Sequence, residues 1–213
     1  MNYSELKAAI APTKKLLVML HGVGSDGEDL ITLAPIMSNN LPHYHFFSPN
    51  GIEKYDMAPF GYQWFSLRDR SWPAIMPQIT KNTVLLQKII TAKQLELNLT
   101  NAQTILLGFS QGTMMASYLT LTADRPYYAM IGFSGRLVPA QTSPNHNTPI
   151  CLIHGLEDSV ITCSESEKFY QYAIEHNIAC HLKIVDNLAH SIDITGIDFA
   201  INFLKNLEDK DEQ

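Results

Sequence analysis

Ser110 lies between two glycines, each two residues away, at the end of an apolar run. Residues 105–107 are apolar at every position, which is typical of a strand buried on both faces, and apolar residues follow from Met114 onward at helical spacing. Glycines at these positions allow a sharp strand-to-helix turn that exposes the serine hydroxyl. The segment 108–112, Gly-Phe-Ser-Gln-Gly, therefore predicts that Ser110 is a nucleophile.

A serine hydroxyl is a weak nucleophile unless a base takes its proton, so the chain must also supply a histidine and an acid. In the fold that this turn indicates, the order along the chain is serine, acid, histidine, each just beyond the carboxyl end of a strand. Of the eight histidines, His176, His181 and His190 come late enough. The first falls in a predicted helix and the second in the predicted strand 179–185, whereas His190 falls in the following loop. His190 is therefore the predicted base.

The acid is predicted by the same argument about strand ends. Residues 149–155 indicate a buried strand that ends in a turn, and Asp158 follows a few residues later. Asp124 comes at the far end of the helix after Ser110, which places it at the opposite edge of the sheet. Asp186 follows the same strand as His190 and stays open as an alternative. We predict Asp158 as the acid.

Hydrolysis through a serine also needs two backbone N–H groups that stabilise the tetrahedral oxyanion. Gln111, the residue after the nucleophile, supplies the first. The second comes from the turn after the buried strand 16–20, where the backbone of Val23 can be aimed at the site. His21 is expected to brace this turn.

Four segments occur in order along nearly the whole chain: residues 20–27 (Leu-His-Gly-Val-Gly-Ser-Asp-Gly), 63–65 (Gln-Trp-Phe), 108–112, and His154-Gly155 with Asp158 and then His190. In this order they resemble the phospholipase/carboxylesterase family of α/β-hydrolases, which includes acyl-protein thioesterases and small bacterial carboxylesterases. The resemblance implies that Ser110, Asp158 and His190 form a triad, with the N–H groups of Val23 and Gln111 as the oxyanion hole.

The resemblance also implies a function, a serine hydrolase that cleaves carboxylic esters through an acyl-serine intermediate. Because the sequence contains no segment long enough for a large cap domain, we predict an open pocket and a preference for short to medium acyl chains. An acyl-protein thioesterase or a lysophospholipase would use the same triad, so both stay open. We expect no cofactor and no metal ion. Two positions depart from the family pattern, because Thr113 and Ala189 stand where glycines are usual. Residues 132–136, Gly-Phe-Ser-Gly-Arg, resemble the bacterial esterase branch more than the eukaryotic thioesterase branch.

The stretch 48–77 reads as one long irregular segment, rich in proline and aromatic residues. Loops of this length inside a compact domain are often functional. We predict that Trp64, which belongs to the family resemblance, lines an acyl pocket together with Met57 and Phe60. The alternative is that these aromatic side chains pack the loop onto the sheet.

The pattern of apolar segments predicts a single α/β-hydrolase domain over residues 1–213. Strands are expected near 16–20, 44–48, 104–109, 128–133, 149–154 and 179–185, with helical patterns between most of them. This alternation favours a mostly parallel, doubly wound sheet with helices on both faces. The segment between 133 and 150 is too short for a large cap domain. The charged run 208–213 is expected to be a disordered tail.

Composition limits the partners of the protein. A formal charge of −6 without a basic cluster disfavours binding to nucleic acid. The first apolar run spans five residues, too few for a signal peptide or a membrane span, so we expect a cytoplasmic protein without stable membrane insertion. Three cysteines without paired spacing fit a reducing compartment. The expected partner is a small ester or thioester, and the sequence leaves a homodimer open.

The sequence leaves two functions from other classes as alternatives, a metal-dependent hydrolase and an inactive binding protein. His43 and His45 stand at strand spacing and could share a metal ion, but no third ligand motif accompanies them. An inactive binding protein with an α/β-hydrolase fold is a remote alternative, because a binding role would not require the triad and both oxyanion positions together. Loss of activity in EDTA would support the metal site, and failure of a phosphonate to label the protein would support the binding role.

Overall fold

The computed structural model describes residues 2–138, 140 and 145–211 of the chain. Its strands are β1 (Tyr3–Leu6), β2 (Lys15–Leu20), β3 (Tyr44–Pro49), β4 (Glu53–Lys54), β5 (Tyr62–Gln63), β6 (Thr104–Phe109), β7 (Ala129–Phe133), β8 (Ile150–Gly155) and β9 (Cys180–Val185). Its helices are α1 (Gly27–Leu30), α2 (Ala34–Ser38), α3 (Trp72–Leu97), α4 (Gln111–Thr122), α5 (Ser164–Glu175) and α6 (Ile194–Asp211).

In the described ranges, one sheet has seven strands in the order β1-β3-β2-β6-β7-β8-β9. The pair β1–β3 is antiparallel, and the other pairs of this sheet are parallel. The strands β4 and β5 form a separate antiparallel pair. The predicted mostly parallel sheet is confirmed, although β1 was not predicted.

Both faces of the sheet are covered by helices. Along β2, Leu16 and Val18 pack in one apolar layer with α3, α4 and α5, while Leu17 and Met19 pack in the other layer with α2 and α6. Successive side chains of a strand point to opposite faces, so a strand between two helical layers is apolar at every position. The carboxyl ends of β2, β6, β8 and β9 lie at one edge of the sheet, and the predicted site residues follow these ends.

Two predictions about irregular segments are wrong. Helix α3 begins at Trp72, inside the stretch predicted to be irregular up to residue 77. Pro73 lies in the first turn, where its missing N–H would have no intrahelical acceptor, so it does not prevent the helix.

The predicted tail begins as helix, because α6 continues to Asp211. The Tyr44 hydroxyl donates to Glu208 Oε1 at 2.9 Å, which ties this last part of the helix to β3. Residues 212–213 of the predicted tail lie outside the described residues. Among the helices of the described ranges, none has both the length and the apolar character needed to cross a membrane.

Candidate active site

Ser110 occupies a sharp turn between β6 and α4. Its backbone has φ 53° and ψ −114°, a conformation that residues other than glycine rarely adopt. A Cβ added to Gly112 would lie 1.8 Å from the carbonyl oxygen of Leu20, and one added to Gly108 would lie 2.4 Å from the carbonyl carbon of Gly112. Helix α4 therefore passes so close to β2 and β6 that both positions require glycine, as the sequence pattern predicts.

The three predicted side chains form one hydrogen-bonded chain. His190 Nε2 lies 3.0 Å from Ser110 Oγ, and His190 Nδ1 lies 2.6 Å from Asp158 Oδ2. A carboxylate only accepts, so Nδ1 carries the proton and Nε2 is free to accept from the serine hydroxyl. The rival acid Asp186 is exposed to solvent. The structure thus pairs His190 with Asp158.

Asp158 is 4% exposed and accepts hydrogen bonds on both oxygens. Its Oδ1 accepts from the backbone N–H groups of Val160 and Ile161, each at 2.9 Å. Burial raises the pKa of Asp158, but the hydrogen bonds from His190, Ile161 and Val160 outweigh it, so the pKa lies below its ordinary value of 3.8. The side chain is therefore a carboxylate at neutral pH.

A second histidine also contacts this carboxylate. His154 is fully buried at the end of β8, and its Nε2 lies 3.1 Å from Asp158 Oδ2 and 2.8 Å from the carbonyl oxygen of Ile161. Two acceptors at Nε2 place a proton there, and Nδ1 lies 2.7 Å from the Ser166 hydroxyl. In the sequence, His154 stands out only as part of the His154-Gly155 motif. Its position four residues before Asp158 was the one feature of the sequence that could have indicated this contact.

The loops that carry Asp158 and His190 touch backbone to backbone. A Cβ added to Gly155 would lie 2.1 Å from the carbonyl oxygen of Leu188, so this position requires glycine. The same carbonyl accepts from the N–H of Glu157 at 3.0 Å. These contacts set the distance between the acid and the base.

Of the two predicted oxyanion donors, Gln111 directly follows Ser110, and Val23 follows a residue that lies close to Ser110. A Cβ added to Gly22, the residue before Val23, would lie 3.5 Å from Ser110 Cβ. Gln111 is the first residue of α4, so its N–H has no intrahelical acceptor. Its side chain is clamped, because Oε1 accepts from the Trp64 N–H at 2.8 Å and Nε2 donates to the Phe65 carbonyl at 2.7 Å. Donation to an oxyanion stays a prediction.

The prediction that Trp64 lines the substrate pocket is wrong. The side chain is 0% exposed, so it has no surface to offer a substrate. Its indole N–H donates to the carbonyl oxygen of His21 at 2.8 Å, and the two rings lie 5.2 Å apart. A buried indole needs such an acceptor, and here the acceptor belongs to the turn that leads to Val23. Trp64 therefore supports the turn that precedes Val23, which corresponds to the alternative that the aromatic side chains of this segment pack it onto the sheet.

His21 braces the same turn, as predicted. Its Nδ1 lies 2.7 Å from the carbonyl oxygen of Gly22, and its Nε2 accepts from the Gly51 N–H at 2.8 Å. Burial lowers the pKa of His21 below its ordinary value of 6.5, against the smaller opposite effect of the Gly22 carbonyl. The imidazole is therefore neutral, with its proton on Nδ1.

Met57 and Phe60 are 57% and 72% exposed. Phe60 borders a surface depression together with Tyr3, Asp26 and Tyr62, and the described residues around this depression include none of the triad. A role for Met57 and Phe60 in substrate binding stays a prediction.

Thr113, the first departure from the family pattern, is accommodated by two glycines. Its hydroxyl donates to the carbonyl oxygen of Phe133 at 2.8 Å. A Cβ on Gly135 would lie 2.3 Å from Thr113 Cβ, and one on Gly132 would lie 2.7 Å from its Cγ2. The larger residue on α4 thus fits against β7 because the facing positions have no side chain.

The two histidines considered as metal ligands have protein partners. His45 Nε2 pairs with Glu5 Oε2 at 3.1 Å, and His43 Nδ1 lies 3.1 Å from the carbonyl oxygen of Ile10. Within the described part of the chain, no three His, Cys, Asp or Glu side chains gather as a group that could hold a metal ion.

Comparison with known proteins identifies relatives of the whole chain. The model of the phospholipase/carboxylesterase family matches residues 1–208. Esterase YpfH from Escherichia coli is 28% identical over 201 residues, which cover 91% of this chain and 83% of the relative. Acyl-protein thioesterase 1 from Saccharomyces cerevisiae is 25% identical over 223 residues, which cover 96% of this chain and 98% of the relative.

Solved structures agree with this assignment. The crystal structure of esterase PE8 has a TM-score of 0.89 at 34% identity and covers 96% of this chain and 97% of that one. The Bacillus cereus carboxylesterase has a TM-score of 0.80 at 17% identity, covering 97% and 94%, which shows the shared fold. Because the family model spans nearly the whole chain, this protein belongs to the phospholipase/carboxylesterase family of α/β-hydrolases and is an esterase.

Proposed function

We propose that this esterase uses Ser110, His190 and Asp158 as a catalytic triad and cleaves carboxylic esters of short to medium acyl chains through an acyl-serine intermediate. The observation that carries the proposal is the unbroken hydrogen-bonded chain from Ser110 Oγ through His190 to the buried Asp158 carboxylate. The strained turn at Ser110 supports it, because backbone strain of this kind is typical of functional sites.

In the first half of the reaction, His190 Nε2 takes the proton of Ser110 as Oγ attacks the ester carbonyl. The N–H groups of Val23 and Gln111 stabilise the negative oxygen of the tetrahedral intermediate. The intermediate collapses, the alcohol leaves with the proton from His190, and the acyl group remains on the serine. In the second half, His190 activates water by the same route, and the carboxylic acid is released.

Asp158 and His154 orient the base. The carboxylate holds the Nδ1 proton of His190, which keeps Nε2 available for the serine, and stabilises the imidazolium that forms. His154 is a positioning residue, because its Nε2–H donates to the same oxygen of Asp158 and to the loop carbonyl of Ile161. It thereby fixes the direction in which the carboxylate faces His190.

A thioesterase or a lysophospholipase would use the same residues, and several relatives carry the name acyl-protein thioesterase 1. Hydrolysis rates on matched oxyesters and thioesters of several acyl lengths decide between these substrates. We expect oxyesters of short to medium acyl chains to be hydrolysed fastest. A clear preference for long-chain thioesters would instead assign the chain to the thioesterase alternative.

The central test is Ser110→Ala, which removes the atom that becomes acylated. We expect a folded protein with no turnover of 4-nitrophenyl acetate. Mass spectrometry after phosphonate treatment should place the adduct of the wild type on Ser110, and Ser71→Ala, a change at an exposed serine, should still be labelled. An adduct on another residue would refute the triad, and absence of any adduct would favour the inactive binding protein.

A further inference from the structure

Arg136 follows the carboxyl end of β7, where the chain leaves the sheet beside the nucleophile. Strands β6 and β7 are paired with Phe109 opposite Phe133, and the Phe133 carbonyl accepts from the Ser110 N–H at 2.9 Å. The chain then passes Gly135, which lies directly against the Thr113 side chain in the first turn of α4. The backbone of Arg136 therefore starts on the β7 side of this turn.

The Cζ atom of the Arg136 guanidinium lies 4.5 Å from the centre of the Trp72 ring. Trp72 begins α3, and α3 covers the half of the sheet toward β1, because Lys93 near its end pairs with Glu5 of that strand at 2.8 Å. Thr80 of α3 lies eight residues after Trp72, and Tyr118 of α4 lies eight residues after Ser110. The hydroxyl oxygens of Thr80 and Tyr118 are 3.1 Å apart. Helices α3 and α4 are therefore in contact, and the Arg136 side chain reaches from the segment beside Ser110 to the first residue of α3.

Within the described part of the chain, this cation has no carboxylate partner and contacts the Trp72 ring. Arg68, in contrast, pairs with Asp56 Oδ2 at 3.0 Å. The contact with the Trp72 ring holds the guanidinium of the half-buried Arg136 in place and leaves its N–H groups available to an anion. Such a fork matches the two oxygens of a carboxylate or a phosphate.

We propose that Arg136 binds an anionic group of the ester substrate, a carboxylate or a phosphate, close to the bond that Ser110 attacks. The proposal rests on the proposed function, since it names the class of ester that the Ser110 site hydrolyses. It makes Arg136 a specificity residue, whereas the triad and the oxyanion donors act on charged and neutral esters alike.

The test uses two pairs of esters that differ in one anionic group. Ethyl hydrogen glutarate is compared with ethyl pentanoate for the carboxylate, and 1-butyrylglycerol 3-phosphate with 1-butyrylglycerol for the phosphate. We expect wild type to have the higher kcat/KM on the anionic member of one pair, and that pair identifies the anion. Arg136→Gln should lower this value about 10- to 100-fold, the effect of losing hydrogen bonds between charged groups, mainly through KM.

The neutral esters provide the internal control, because Arg136→Gln should leave their hydrolysis unchanged if the protein is folded. Arg68→Gln changes the net charge equally at an arginine that already has a partner, and it should keep the wild-type preference. The proposal is refuted if wild type shows no preference for either anionic ester at low ionic strength, or if Arg136→Gln retains the preference. Phosphonate labelling of Ser110 is independent of Arg136, so either result can be told apart from a failure of the proposed triad.

Discussion

Replacing Asp158 by asparagine tests the proposed mechanism most directly, because it keeps the shape of the side chain and removes its charge. The carboxylate accepts two backbone N–H groups on Oδ1, at 2.9 Å each, and two histidine nitrogens on Oδ2. An amide has a single oxygen. If that oxygen stays with the backbone N–H groups of Val160 and Ile161, the NH₂ group faces the two histidines.

His190 must then turn Nδ1 into an acceptor and carry its proton on Nε2, facing Ser110, where it cannot act as a base. For a serine triad this change lowers kcat by about 10⁴-fold, or about 5.5 kcal/mol in the barrier. The NH₂ group also meets the Nε2–H of His154, and a buried donor left without an acceptor costs about 1–3 kcal/mol of stability. We therefore expect both a large loss of kcat and a measurable loss of thermal stability.

The assay is the hydrolysis of 4-nitrophenyl acetate, together with a melting curve for each variant. Asp186→Asn is the matched control, since Asp186 is exposed, and it should cost about tenfold or less in kcat. If Asp186→Asn is the more damaging change at equal thermal stability, Asp158 is not the acid of the triad. A kcat for Asp158→Asn within tenfold of wild type would contradict the tautomer argument.

Three other changes test contacts around the triad. Gly112→Ala forces a Cβ to within 1.8 Å of the Leu20 carbonyl oxygen. We therefore expect the free energy of unfolding to fall by about 1–3 kcal/mol, with a lower melting temperature and a lower kcat. An unchanged melting temperature and kcat would contradict the tight turn. His154→Leu removes a donor from the carboxylate and should lower kcat, because the carboxylate is then held less firmly toward His190. His154→Gln, which keeps a donor, should restore much of the wild-type kcat, and equal kcat values for the two variants would leave His154 with a packing role. The pKa of His21 lies below 6.5 in the folded protein, so the unfolded chain binds an extra proton as the pH falls through 6.5. The free energy of unfolding in urea should therefore decrease by up to about 1.4 kcal/mol for each pH unit of acidification because of this group. His21→Gln should reduce this slope.

The sequence alone determined the elements whose signal is local. Strands β2, β6, β7 and β8 were predictable because helices cover both of their faces, which makes nearly all of their residues apolar. The turn at Ser110 was predictable because glycine spacing carries its geometry. The order of the strand ends was enough to select His190 and to reduce the acids to Asp158 and Asp186.

Only the tertiary structure shows which of these two acids contacts His190. Both follow strands at the same edge, and the choice depends on how the His190 loop packs on Gly155, a contact between segments more than 30 residues apart. Trp64 was misassigned for a related reason. An aromatic residue in a loop can face the solvent or the core, and the carbonyl of His21 that accepts its N–H lies 43 residues away.

The charged end of the chain was misassigned because composition does not record contacts. Residues 208–211 have the composition of a solvated tail, yet they continue α6, and Glu208 accepts from a tyrosine 164 residues earlier in the chain. His154 and Arg136 gained their interpretation in the same way. A histidine inside a strand and an arginine after one are ordinary residues in the sequence. Burial against Asp158 and stacking on Trp72 arise only when distant segments pack, because hydrogen bonding and stacking depend on distances in space.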